Sequence, residues 1–360
     1  MATTFKPFTS DDITTHRTLL HEAIPITGAM ISGTYGGVAV ATGSEGHIKN
    51  FPKHGMFQSV YDYPHLSSSA NHIFDITVGY SSGSALKSSS NKQDAKKTNI
   101  YNQMAQILMG HDLSGAIKPF QIPGQSEPMR ECWFINFSRL LTKDEIKKGS
   151  FSLVLGTGSA LDHGFVQRRT YTDDGAATNY YTDSPAGEYA IMSSSKTAGI
   201  NNEAALGNQG LLFYQAGILV LTGTAEWTAL TTGSAGDTQT DGAGNTGTLR
   251  AMFSGSSISA SANAIRHRMY NVEFNNTTEL NSTIYFCRFN HNDFNYSSNP
   301  TYLSESTIRV KLQTLDQSVT YGTTIGLYSA DNELLAVTKF SEPLKKNPSQ
   351  EFIVRVRLDY

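Results

Sequence analysis

Polar and apolar positions alternate most cleanly at the end of the chain. Within residues 350–360, Val354, Val356 and Leu358 fall on one side, and Arg355, Arg357 and Asp359 on the other. A period of two marks a strand with one buried face. Chain ends fray unless something ties them down, so this segment is expected to be locked into a sheet, its own or a neighbour's. The same beat precedes it. Tyr270, Val272 and Phe274 alternate, and further strands are expected at 284–289, 308–312, 325–328 and 333–339, with Asp331-Asn332 as a tight turn between the last two. Short strands at such spacing predict a β-sandwich over residues 263–360.

Upstream the pattern is mixed. Residues 9–24 read as a helix: Ser10 or Asp11 caps it, Ile13, Leu19, Leu20, Ala23 and Ile24 form a partial apolar face, and Pro25 stops it. The run 36–41 is a strand or a buried turn. Residues 73–79, 133–137 and 151–155 read as strands, and 167–171 with 188–192 as a strand pair around a polar turn region. The clearest helix is 92–109, with Ile100, Met104, Ile107 and Leu108 at helical spacing and Gly110 as its cap. Thr142 to Glu145 forms a capping box that opens a short helix closed by Gly149. The apolar run 211–221 is either one fully buried strand or a buried helix. Residues 1–222 thus form an α+β body. Residues 223–262 are a Gly/Ser/Thr-rich excursion with Trp227, Leu249, Met252 and Phe253 as isolated anchors. The fold class is mainly β with a few helices.

Composition sharpens this picture. Charged residues make up 16% of the 360, against about a quarter in an average soluble domain. Ser, Thr, Asn and Gly make up the difference. Such a surface suits β-rich, loop-rich proteins, and also surfaces covered by partners, because interface cores are depleted in charge. The net charge is −3 with no basic block, which does not indicate nucleic-acid binding. The N-terminus lacks the apolar stretch of a signal peptide, and Gln215 and Gly217 break the longest apolar run. A soluble product made in the cytoplasm, without a membrane partner, is expected. Cys132 and Cys287 sit in apolar surroundings and read as small buried residues in strands.

Candidate chemistry is sparse. There is no HExxH; His54, His65 and Asp62 are the best remaining cluster, and no metal is expected. Gly156-Thr-Gly158 lacks the third glycine of a dinucleotide fingerprint and there is no Walker lysine, so no cofactor is expected. Ser59 is not in a GxSxG elbow. Acids Asp173, Asp174, Asp183 and Glu188 lie among tyrosines, of which Tyr171, Tyr180 and Tyr181 are candidate glycan contacts. No residue is assigned a catalytic role. The segment 289–301 carries four Asn and three aromatics. It is either a long loop folded on itself by Asn side-chain bonds or a contact loop toward another subunit.

Three stretches carry a resemblance: 294–302, 319–346 and the closing 354–360. Together with the opening 5–15, the run 19–28 and the run 140–148, they resemble virion structural proteins of contractile-tailed phages, the marine and cyanobacterial ones in particular. The likeness spans both ends of the chain and carries no catalytic motif. It implies a non-enzymatic component of the tail, baseplate or neck, resident in the virion, whose partners are other copies of itself and other virion proteins. Expected subunit contacts are Phe5 and Phe8, the loop residues Phe294, Tyr296 and Tyr302, and Val354, Val356 and Leu358 of the last strand. The alternative is a host-receptor or glycan-binding tail protein, with Tyr171, Tyr180 and Tyr181 exposed as its surface.

Overall fold

The computed structural model describes residues 5–27, 47–51, 53–157, 167–196, 207–223, 253, 257–295, 303–304, 307–308, 315 and 317–360. The strands are β1 (Ile13–Thr27), β2 (Ile48–Asn50), β3 (Gln58–Tyr61), β4 (His72–Tyr80), β5 (Glu131–Phe137), β6 (Glu145–Ile146), β7 (Ser152–Thr157), β8 (Gln167–Thr172) and β9 (Tyr181–Ser184). They continue as β10 (Gly187–Lys196), β11 (Gly207–Phe213), β12 (Ile218–Thr222), β13 (Met269–Phe289), β14 (Leu303–Ser304), β15 (Thr307–Ile308), β16 (Thr320–Tyr328), β17 (Leu334–Lys346) and β18 (Phe352–Asp359). Among the described residues three α-helices accompany them: α1 (Asp94–Leu108), α2 (Arg139–Thr142) and α3 (Ile258–Arg268). The fold is mainly β with a few helices, as the alternation predicts. Among the described residues no helix is long and apolar enough to cross a membrane.

The chain forms two compact units, Leu20–Thr278 and a smaller one made of Met1–Leu19 with Glu279–Tyr360. The sequence pattern places divisions at 222 and 262 instead. Part of the expected excursion, 258–262, is the start of α3, and α3 belongs to the larger unit.

In the larger unit the strands follow the order β13-β7-β8-β10-β11-β12-β5-β4-β3-β2, antiparallel throughout. Strand β5, flanked by β12 and β4, is buried on both faces, which is why Cys132-Trp-Phe-Ile reads as an unbroken apolar run. Helix α1 lies close against β4 at Gly79. A Cβ there would stand 2.7 Å from the Lys97 carbonyl and 2.8 Å from the Tyr101 amide. The helix buries Lys97, Ile100, Tyr101, Ala105 and Leu108. Its inward stripe is therefore rotated from the expected one, and Ile107 stays exposed.

Four expectations are corrected here. Residues 9–24 are not a helix. Thr9 caps a single turn at Ser10–Asp12, and β1 then begins, pairing with β13. The apolar face was only partial and Thr14, Thr15 and Thr18 are β-branched, so extended backbone wins. The run 211–221 is two strands, with Phe213 opposite Ile218 and a turn closed by the left-handed Gly217. Its interruptions were the turn. The capping box opens no helix. Thr142 ends α2, Lys143 takes a positive φ and Glu145 enters β6. Finally, the strands expected at 270–274 and 284–289 are one strand, β13. Its polar middle stays extended because buried groups find partners, Asn276 donating to the Leu141 carbonyl at 2.8 Å and accepting from the Glu22 amide at 3.2 Å.

In the smaller unit β18 pairs antiparallel with β13, from Ser282 opposite Asp359 to Phe289 opposite Phe352. The last strand is thus locked into a sheet of its own chain. Its burial alternates as predicted, with Phe352, Val354, Val356 and Leu358 inward. Strands β16 and β17 form a hairpin across Asp331-Asn332, where Asn332 takes a left-handed φ of 64°. The two ribbons share a small cluster of Cys287, Ile325, Leu327 and Val356. The expected segments 36–41 and most of 223–256, with Trp227, Leu249 and Met252, lie outside the described residues.

Candidate functional site

The smaller unit contains a groove of about 740 Å³. Its walls come from the inner face of β16–β17, from the end of β13 and from the N-terminal arm, residues 5–8. The arm belongs to no helix or strand. Pro7 fixes its own φ and disfavours helical backbone at Lys6. What holds the arm is side-chain chemistry. The Phe5 ring lies 4.8 Å from that of Tyr328, and the Phe8 ring 5.4 Å from that of Tyr285, both tilted. Lys6 pairs with Asp293 and Asp12 with Arg288. The Thr9 amide and hydroxyl donate to the same Asp12 carboxylate at 3.0 and 2.8 Å.

These contacts set the electrostatics. The Thr9 amide, the Thr9 hydroxyl and then Arg288 hold Asp12 down at about 2. Lys6 holds Asp293 below the usual carboxylate range. Lys346, which also lines the groove, donates to the His291 carbonyl at 3.1 Å, to Asn295 Oδ1 at 2.9 Å and to the Asn347 carbonyl at 3.0 Å. Burial raises the Cys287 thiol, which leaves it protonated and inert at neutral pH. The groove combines apolar walls with paired charges. That chemistry suits binding an extended aromatic–basic–aromatic segment.

The expected contact residues fall into three sets. Phe5, Phe8 and Phe294 line the groove, and Phe294 packs on Phe289 at 5.4 Å with a left-handed φ of 55°. In the described part of the Asn-rich loop, Asn295 donates back to the His291 carbonyl and Thr320 to the Phe294 carbonyl, so this part folds on itself. Val354, Val356 and Leu358 face the unit's own cluster. Tyr296 and Tyr302 lie outside the described residues. The partners of Lys6 and Asp12 were not named from sequence. They sit some 280 residues away and no local pattern links them.

The glycan surface is not assembled as expected. Tyr171 is fully buried in the larger core. Tyr181 stacks on Tyr189 at 5.4 Å, and the exposed Tyr180 ring carries the Lys148 ammonium at 5.0 Å. Lys148 is bound to Glu188 at 2.5 Å, and Gln215 joins Glu145 and Glu188 at 2.9 and 3.2 Å. Asp173 accepts from the Gly149 and Phe151 amides and from Tyr214. Burial still pushes its carboxyl up. Ser59 donates to Asp75 at 2.5 Å and His72 binds the same oxygen at 2.8 Å. The carboxylate stands between serine and imidazole, so this is not the order that activates a serine. His54 stacks on Phe51 and Asp62 binds Asn71. Among the described residues no group of three His, Cys, Asp or Glu is placed to hold a metal ion. No protein-family model, no curated protein and no solved structure matches the chain.

Proposed function

We propose that the chain is a non-enzymatic structural subunit of a virion, in the tail, baseplate or neck of a contractile-tailed phage, and that it works through interfaces with other subunits. One observation carries this reading: the smaller unit is apolar outside as well as in. Among the described residues its buried cluster has four members, yet Leu334, Leu335, Val337, Ile353 and Tyr360 all stand more than half exposed. Leu334, Leu335 and Val337 follow one another along β17, and large apolar side chains left this exposed suit a surface that another chain covers. The hairpin adds a backbone argument. Strands β16 and β17 pair only with each other among the described residues, so their outer edges offer donors and acceptors to another chain. The half of β17 that follows Val337 carries Lys339, Glu342, Pro343, Lys345 and Lys346, residues that discourage edge pairing. The half with Leu334, Leu335 and Val337 carries none.

The resemblance at both ends of the chain supplies the virion context. The glycan-binding alternative loses Tyr171 to the core and has no observation of its own. Cross-linking mass spectrometry on intact particles tests the proposal. Links from the smaller unit to neck, tube or baseplate chains are expected. Particles that hold the protein without any such link would contradict it.

A further inference from the structure

We infer that the arm's place along the groove is taken by residues 5–8 of a second copy, so that neighbouring subunits exchange their N-terminal arms. The inference rests on the assembly reading above and names the partner of that site. Its basis is how the home arm, which forms one wall of the groove, is held. Phe5 and Phe8 meet Tyr328 and Tyr285, and Lys6 meets Asp293. The side chains that hold the arm, Tyr328, Tyr285 and Asp293, therefore suit an aromatic–basic–aromatic segment, and every copy of this chain carries one.

Three features favour exchange over a permanent home contact. The arm adds no strand to either ribbon, so leaving breaks side-chain contacts rather than a ladder. It is joined through a single turn at Ser10–Asp12, flanked by exposed backbone, while Asp12 stays anchored to Arg288. A pivot at Thr9 frees residues 5–8 without disturbing that anchor. The two arm aromatics remain 41% and 36% exposed in the groove, so the home copy does not fully cover them. An identical contact made between copies loses nothing enthalpically, and swapping is a low-cost route to association at high local concentration.

Two chains with a single accessible cysteine test this, Phe5→Cys in one and Tyr328→Cys in the other, both in a Cys287→Ala background that otherwise keeps only the fully buried Cys132. They are mixed, allowed to associate and treated with a short thiol-to-thiol linker. A chain carrying both cysteines is the internal control. Exchange is expected to give a linked heterodimer in the mixture, and deletion of residues 1–9, checked for an unchanged circular dichroism spectrum, is expected to weaken self-association at least tenfold. If the control links internally while the mixture gives no heterodimer, although the chain self-associates, exchange is overturned and the assembly reading stands. Self-association untouched by the deletion has the same meaning. A chain that is monomeric at every concentration and links to no virion protein overturns both.

Discussion

The two units use the same antiparallel pairing but bury very different amounts. In the larger unit Phe74, Trp133, Leu212 and Val220 retain no exposure, and helices α1 and α3 pack against its strands. In the smaller unit the four cluster members keep between 7% and 9% exposure, and no α-helix covers either ribbon among the described residues. Buried apolar area is the main driving force for folding, at roughly 25 cal/mol per Å², and an isolated two-stranded hairpin is marginal in water. The larger unit has the core of a self-sufficient domain. The smaller unit's core is thin, which fits the proposal that a neighbour completes it.

Substitutions can break this contrast in order of size. Trp133→Ala should cost about 3–5 kcal/mol in denaturant unfolding, since it empties a fully buried site packed on Phe253. Leu327→Ala in the smaller unit should cost about 2 kcal/mol, at the low end for a core leucine because its site already reaches solvent. That loss should appear as faster amide exchange in β16 to β18, with the larger unit's transition unchanged. A Leu335→Asp, Val337→Asp pair should change the stability of the isolated chain by only about 0.5 kcal/mol, because both positions are exposed. Particle incorporation should nevertheless be lost. If the pair is incorporated normally, the outer face of the hairpin is not an interface.

The units should also part company with pH. Asp12 is held at about 2 against an ordinary 3.8. A depressed carboxyl contributes stability fully above the unfolded value and loses it as pH falls through the folded one. The smaller unit should therefore loosen between about pH 4 and pH 2, and Asp12→Asn should flatten that response. Lys97 is fully buried in the larger unit and donates to the Phe253 carbonyl at 2.5 Å. Desolvation lowers it from 10.5 to about 8. Its folded form binds fewer protons than its unfolded form between those values, so the larger unit should gain stability as pH rises from 8 to 10.5. A chain whose two units lose protection together at low pH would remove this distinction.

How far the sequence could be read follows from the same contrast. Patterns set by one face of one strand were legible: Val354, Val356 and Leu358 alternate in the chain and in space, and the Cys132-Trp-Phe-Ile run marks a strand buried on both sides. Patterns set by partners far away were not. Nothing local tells Leu19 and Leu20 that they belong to an exposed strand beside β13. Asn276 reads as a loop residue until Leu141 and Glu22 supply its hydrogen bonds. Tyr171 shares its polar neighbourhood with Tyr180, yet one is core and the other surface, because β8 has neighbouring strands on both sides. The groove was half legible. Its arm, Phe5-Lys-Pro-Phe8, stands out by composition, whereas Asp293 and Arg288 are placed opposite it only by the fold.

Hydrogen exchange, compared between the purified chain and the same chain in intact particles, tests the central claim most directly. The account expects β16, β17 and β18 to exchange quickly in the purified chain and to gain at least tenfold protection in the particle, while β4, β5, β11 and β12 are equally protected in both. Equal protection of the smaller unit in both states would mean that no neighbour completes it, and would contradict the account.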